Sequence, residues 1–90
     1  MRIALMTKDK SGALQTRVDN RDAHLAYIKS TGVVEMAGPF LDTDGQMFGS
    51  LILLSVDDMA AAQAWAEHDP YNIAGLFASM DPTARKNVLR

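Results

Sequence analysis

Residues 33–56 read VVEMAGPFLDTDGQMFGSLILLSV: two β-prone runs on either side of a polar tetrad. Val33 to Phe40 opens on β-branched residues and closes near Gly38-Pro39, while Phe48 to Val56 is the most hydrophobic stretch of the chain. Asp42-Thr43-Asp44-Gly45 between them supplies turn residues, with a glycine able to take positive φ. The second run is therefore expected to return as the antiparallel arm of a hairpin. Proline cannot donate to a sheet ladder, which puts Pro39 at an edge, a bulge or a strand end. In the second arm Leu51 and Leu53 point one way and Ile52, Leu54 and Val56 the other. In the first, Val33 takes one face and Val34 and Met36 the opposite one. A sheet that is apolar on both faces needs cover on both.

Working outward, Ile3 to Thr7 reads as a short opening strand, and Lys8 to Thr16 as a polar loop with Ser11-Gly12 as its turn signal. Asp19 or Asn20 can cap a first helix, with Asp22 well placed against its dipole, running to about Ser30 and stopping at Gly32. Asp57 and Asp58 open a second helix through about Glu67, with Met59, Ala62 and Ala66 on one stripe and Trp65 beside them. Asp69 precedes proline and is pushed out of helical conformation, so this helix ends near His68. Tyr71 to Gly75 is a short irregular or helical connector, Leu76 to Met80 the last strand, and Asp81-Pro82 the start of a tail over 81–90. The order β-α-β-β-α-β predicts one α+β domain over residues 1–90. It is the ferredoxin-like arrangement, a four-stranded antiparallel sheet with two helices on one face. The helix-free sheet face is expected to meet a second copy in a homodimer.

Ninety residues bury only roughly 60–65% of the surface of the unfolded chain. Disulfides and thiolate metal sites are excluded by the absence of cysteine, and two histidines are too few for a His-rich metal site. A net charge of −2 and an isoelectric point near 5.5 argue against nucleic acid as a partner. The run Leu51 to Leu54 is far too short to span a membrane, and the opening Met1 to Met6 lacks the features of a signal peptide, so the cytoplasm is the expected compartment. Asp42-Thr43-Asp44-Gly45 resembles the start of a calcium loop but lacks its later ligands and reads as a turn. With no phosphate-binding glycine loop, nucleophile elbow or zinc motif, neither a cofactor nor a metal is expected.

Chemistry is best sought on the first helix. Arg21, His24, Leu25 and Ile28 share one face, and Leu25 and Ile28 mark it as the packed one. His24 and Arg21 then lie at the core boundary, where a histidine is readily used for proton transfer near neutral pH. Spacing alone favours reading His24 as a histidine simply hydrogen-bonded at the edge of a small core, and Asp69-Pro70 as an ordinary helix stop. The functional reading has Asp69, held extended by Pro70, facing a histidine and fixing its tautomer. Gly38 and Gly49 permit close backbone approach, for packing or for a ligand cleft, beside which Ser50 is a polar contact.

Arg17-x-x-x-Arg21-x-x-His24-Leu25-x-Tyr27, then Ala37-Gly38-Pro39, Gly49-Ser50, and Ala64-x-Ala66-x-x-Asp69-Pro70-Tyr71-x-x-Ala74-Gly75-Leu76-Phe77 together resemble the YciI-like (YCII-related) family. The Asp-Pro-Tyr block with its trailing Ala-Gly-Leu-Phe is the most specific part, and the segment after Asp81 is less typical. The resemblance implies a ferredoxin-like fold assembled as a dimeric α/β barrel. It also implies a cleft with a helix-borne histidine and an aspartate from the Asp-Pro block, here His24 and Asp69. The implied activity is cofactor-free proton transfer or elimination, lyase- or isomerase-like, on a small and often aromatic-derived molecule. In that reading His24 is the base or acid and Asp69 orients it. Arg21 or Ser50 holds an anionic or carbonyl group, with Tyr71 near the mouth. The alternative is a non-catalytic binding or accessory domain that holds a small metabolite in the same cleft.

Overall fold

The computed structural model describes residues 1–89. Its elements are β1 (Arg2–Asp9), α1 (Leu14–Thr31), β2 (Val34–Leu41), β3 (Met47–Ser55), α2 (Met59–His68), the single turn α3 (Pro70–Ile73) and β4 (Phe77–Arg85). The four strands form one antiparallel sheet in the order β2-β3-β1-β4, the arrangement expected from the hairpin and its flanking helices. The hairpin turn closes on Asp42, whose carboxylate accepts the amides of Asp44 and Gln46, with Gly45 at φ 81°.

The core forms where the two central strands meet α2. Ile3 lies opposite Leu54 and Leu5 opposite Ile52, and these four pack with Ala62, Trp65 and Ala66. Each large aliphatic side chain so buried contributes about 1.5–3 kcal/mol. The helices are tied to each other at one end: the Tyr27 hydroxyl donates to the Trp65 carbonyl at 2.8 Å, and Trp65 Nε1 donates to Thr31 Oγ1 at 3.0 Å.

Three expectations are corrected. First, α1 begins at Leu14, well ahead of Asp19 and Asn20, and the loop before it is correspondingly short. Ala13 at the N-cap makes no side-chain cap, so the usual start signal is missing. Asp19 and Asn20 lie inside the helix, bonded to Gln15 Nε2 and the Thr16 carbonyl. The register of the buried face differs too. Arg17 and His24 face the sheet, whereas Leu25 is 41% exposed. Second, a bulge between Val34 and Met36 lets both Val33 and Val34 pack on the core and leaves Met36 on the open face, where strict alternation would divide the two valines. Third, β4 runs through Asp81-Pro82 to Arg85 and takes residues expected in a tail. Pro82 is tolerated because β4 is an edge strand paired with β1 alone.

The open face carries Met6 opposite Leu51 and Ala4 opposite Leu53. Met36 lies on this face beside Leu53. No helix among the described residues is long and apolar enough to cross a membrane.

Gly49 is fixed by the closeness of β1. A Cβ there would lie 2.1 Å from the Thr7 carbonyl oxygen, a backbone atom that cannot swing aside. Gly49→Ala is expected to cost about 1–3 kcal/mol as an overpacking change, lowering the melting temperature by roughly 4–8 °C per kcal/mol. A thermal melt unchanged from wild type would show that the strand pair yields at this point.

Candidate active site

Asp69 ends α2 and starts α3. Pro70 holds it at φ −59°, ψ 129°, outside the helical region, and its Oδ1 accepts the Tyr71 amide at 3.0 Å as the cap of the next turn. The same oxygen accepts His24 Nδ1–H at 2.7 Å. Asp69 is fully buried and His24 is 5% exposed. Asp69 Oδ2 has no hydrogen-bond partner among the described residues, which leaves Oδ1 to hold the imidazole. A proton on Nδ1 leaves a lone pair on Nε2, the nitrogen able to act as base. The His24 ring also lies flat on the Tyr71 ring, with centroids 3.9 Å apart and planes at 12°. Tyr71 is buried, with Phe77 edge-on to it, and forms part of the wall where the sequence placed it at the mouth.

A second polar group stands beside this pair. Arg17 Nε and Nη2 grip both oxygens of Asp9 at 2.8 and 2.9 Å, an ion pair buried on both sides. Nη2 also donates to Ser50 Oγ at 3.0 Å, and the Ser50 amide donates to Thr7 Oγ1 at 3.1 Å. The Arg17 guanidinium carbon lies 4.9 Å from the centre of the Tyr71 ring. Sequence reasoning proposed no role for Arg17 or Asp9. The available signal was Arg17, Arg21 and His24 at i, i+4 and i+7, visible as one face only if the helix starts before Asp19.

Of these side chains, Arg17, His24, Ser50 and Tyr71 line a cavity of about 160 Å³ between α1, β2 and β3. Arg17, Arg21 and His24 enter from α1, Pro39 from β2, Ser50 from β3, and Tyr71 from beyond α2. An engineered cavity of roughly 150 Å³ admits benzene, so the space suits one small ring. Of the residues singled out by sequence, His24, Arg21, Ser50 and Tyr71 share this wall, and Asp69 stands behind His24. Arg21 is exposed at the rim. Gly38 lies on the wall with open space where a Cβ would be, whereas Gly49 serves packing. No cluster of three or more His, Cys, Asp or Glu able to hold a metal occurs among the described residues.

Burial pushes the Tyr71 phenol above its ordinary value. The Arg17 charge pulls it back, Asp69 raises it further and Arg21 lowers it. Tyr27 is raised as well, by burial and then by Asp69.

Comparison with known proteins places the chain in a family. The sequence profile of the YCII-related domain matches residues 1–83. The chain is 31% identical to Protein YciI of Escherichia coli O6:H1 over 97 aligned positions, covering 98% of this chain and 99% of that protein, and equally to Protein YciI of Shigella flexneri. Among solved structures it is similar to a 5-chloro-2-hydroxyhydroquinone dehydrochlorinase from Burkholderia phenoliruptrix, in complex with 2,5-dihydroxybenzoquinone. That match has a TM-score of 0.88 and 33% identity over 96% of this chain and 94% of that one. A NIPSNAP domain protein from Burkholderia xenovorans shares the fold, with a TM-score of 0.56 at 13% identity over 100% of this chain and 98% of that one. The chain belongs to the YCII-related domain family, as its residue pattern suggested.

The raised tyrosines set an alkaline limit. Both phenols ionise later in the folded chain than in the unfolded one, so their stabilising effect is complete below about pH 10, the unfolded value. It is lost as pH rises through the folded values. Tyr71→Phe is expected to flatten the fall in melting temperature above pH 10 and to remove a late step from the phenolate absorbance titration. An unchanged titration would show that Tyr71 ionises like a free phenol.

Proposed function

We propose that this YCII-related protein is a cofactor-free enzyme of lyase type, moving a proton on a small, oxygenated, single-ring molecule. One observation carries the reading: Nδ1 of His24 is held by buried Asp69 at 2.7 Å, while Nε2 has no protein partner among the described residues and His24 lines the cavity. The reaction named for the similar Burkholderia dehydrochlorinase supports it, because loss of hydrogen chloride asks for a base and a departing anion and for no electron carrier.

In the proposed step, on the keto tautomer of the ring, whose leaving group sits on a saturated carbon, Nε2 takes the proton of a ring hydroxyl. The released electron pair forms a new double bond, and the leaving group departs with its own bonding pair. The imidazolium so formed is stabilised by Asp69, which keeps the ring in its tautomer and orientation. Arg21 at the rim and Ser50 on the wall hold the substrate's oxygen substituents, and Tyr71 supports the imidazole from below. A positioned base of this kind supplies about 10²–10⁴-fold.

The same reading gives the open sheet face a second copy. Met6, Met36, Leu51 and Leu53 leave it apolar and uncovered, and a stable interface needs about 800 Å² from each partner. Light scattering at micromolar concentration is expected to return the mass of a dimer; a monomer would remove this part of the proposal.

Turnover is tested by chloride release from 5-chloro-2-hydroxyhydroquinone. His24→Ala is expected to lose at least about 10²-fold in kcat, and Asp69→Asn to lose activity through the wrong tautomer. Full activity in both variants would refute the assignment. Ligand binding seen as thermal stabilisation, with no release from any halogenated ring offered, would mark a non-catalytic binding domain instead.

A further inference from the structure

We infer that Lys8 and Asp81 are the electrostatic lock between two copies of this chain: on the open sheet face Lys8 meets Asp81 of the partner subunit, and the contact is made twice about one twofold axis. The inference rests on the reading that a second copy covers that face, and it names what fixes the two copies against each other.

Residues paired across strands share a face. Along one row of the open face stand Phe40 of β2, Gly49 of β3, Lys8 of β1 and Ser79 of β4. With only a glycine between Phe40 and Lys8, the face is hollow there. The hollow measures about 570 Å³, with Phe40 and Phe48 stacked at 5.9 Å on one side and Lys8, Ser79 and Asp81 on the other. Elsewhere on this face Arg2 is matched by Glu35 at 3.0 Å, and Arg85 donates to Asn87. Lys8 and Asp81 make no ion pair among the described residues. Covering the face with a neutral apolar partner would bury both charges unmatched, which is costly. A second copy carries both signs, and a twofold contact is self-complementary, so one match brings the other.

The register gives the geometry of that match. Lys8 lies opposite Ser79 and Asp81 opposite Met6, which makes Lys8 and Asp81 diagonal neighbours, one strand apart and two residues along. A twofold axis above the midpoint of this diagonal, and perpendicular to it, sets each residue over its opposite in the other copy. With strands about 4.8 Å apart and about 3.3 Å per residue, that axis crosses the strands of the two sheets at about 70°. Such a crossing lies near the orthogonal class of sheet packing. The charges thereby select one alignment of two apolar faces, which buried area alone does not do.

Charge-reversed chains test this by sedimentation equilibrium and native mass spectrometry. Lys8→Glu alone sets acid against acid at both contacts, and Asp81→Lys alone sets base against base. Each is expected to raise the dimer dissociation constant at least about tenfold. Mixed in equal amounts, with one chain isotope-labelled, the two variants are expected to pair almost exclusively with each other, since both contacts are then opposite in sign. An ion pair within one chain could not produce that preference. Random assortment, or single variants as tight as the wild type, overturns the lock. Circular dichroism checks folding. Should a reversed chain not fold, Lys8→Gln and Asp81→Asn decide instead: the double variant is expected to dimerise no more weakly than either single one, and additive losses overturn the lock. A monomeric wild type would remove the second copy and the lock together, whereas a dimeric wild type with indifferent variants removes the lock alone.

Discussion

One carboxylate oxygen organises this domain. Asp69 Oδ1 accepts both the Tyr71 amide and His24 Nδ1–H, so a single atom begins the turn that follows α2 and fastens α1 from across the fold. Its burial makes the arrangement demanding. Removing either donor would leave a dry, negatively charged group short of hydrogen bonds, a far larger penalty than the net gain from any one bond. The turn at Asp69-Pro70 and the orientation of the imidazole are therefore parts of one constraint.

The molecule divides its core accordingly. At one end Ile3, Leu5, Ile52 and Leu54 meet Ala62 and Trp65 in an apolar cluster, with the Tyr27 phenol at its edge. At the other, the same strands carry Thr7 and Ser50, the next helix-facing positions along β1 and β3; Ser50 meets Arg17, and Thr7 holds the Ser50 amide. One sheet face thus passes from hydrophobic packing to a hydrogen-bonded polar network within two strand positions. The apolar end holds the helices in place so that the polar end can be open and still ordered, as a preorganised site requires.

The strand order and hairpin were legible because they rest on short-range signals: β-branched runs, a turn tetrad ending in glycine, and an Asp-Pro helix stop. The beginning of α1 was not, because Ala13 offers no cap and the favoured cap residues Asp19 and Asn20 spend their side chains inside the helix. That displacement hid Arg17 and turned attention to Leu25, which is exposed. Hydrophobic periodicity failed on α1 because its buried face is partly polar, satisfied by Asp9, Ser50 and Asp69 from elsewhere in the fold. His24, Asp69, Ser50 and Tyr71 were all named from sequence. Their meeting around one cavity is a property of the tertiary structure, and spacing along the chain carries no record of it.

The two edge strands share a feature with a consequence for the protein's surroundings. β2 contains Pro39 and β4 contains Pro82, so each free rim of the sheet has a position with no amide hydrogen to offer an incoming strand. Lateral growth of the sheet from one molecule to the next is discouraged on both sides by the chain itself. A small domain whose helix-free face is apolar would otherwise be at risk of ribbon-like aggregation when crowded. These prolines act as chain terminators for that process.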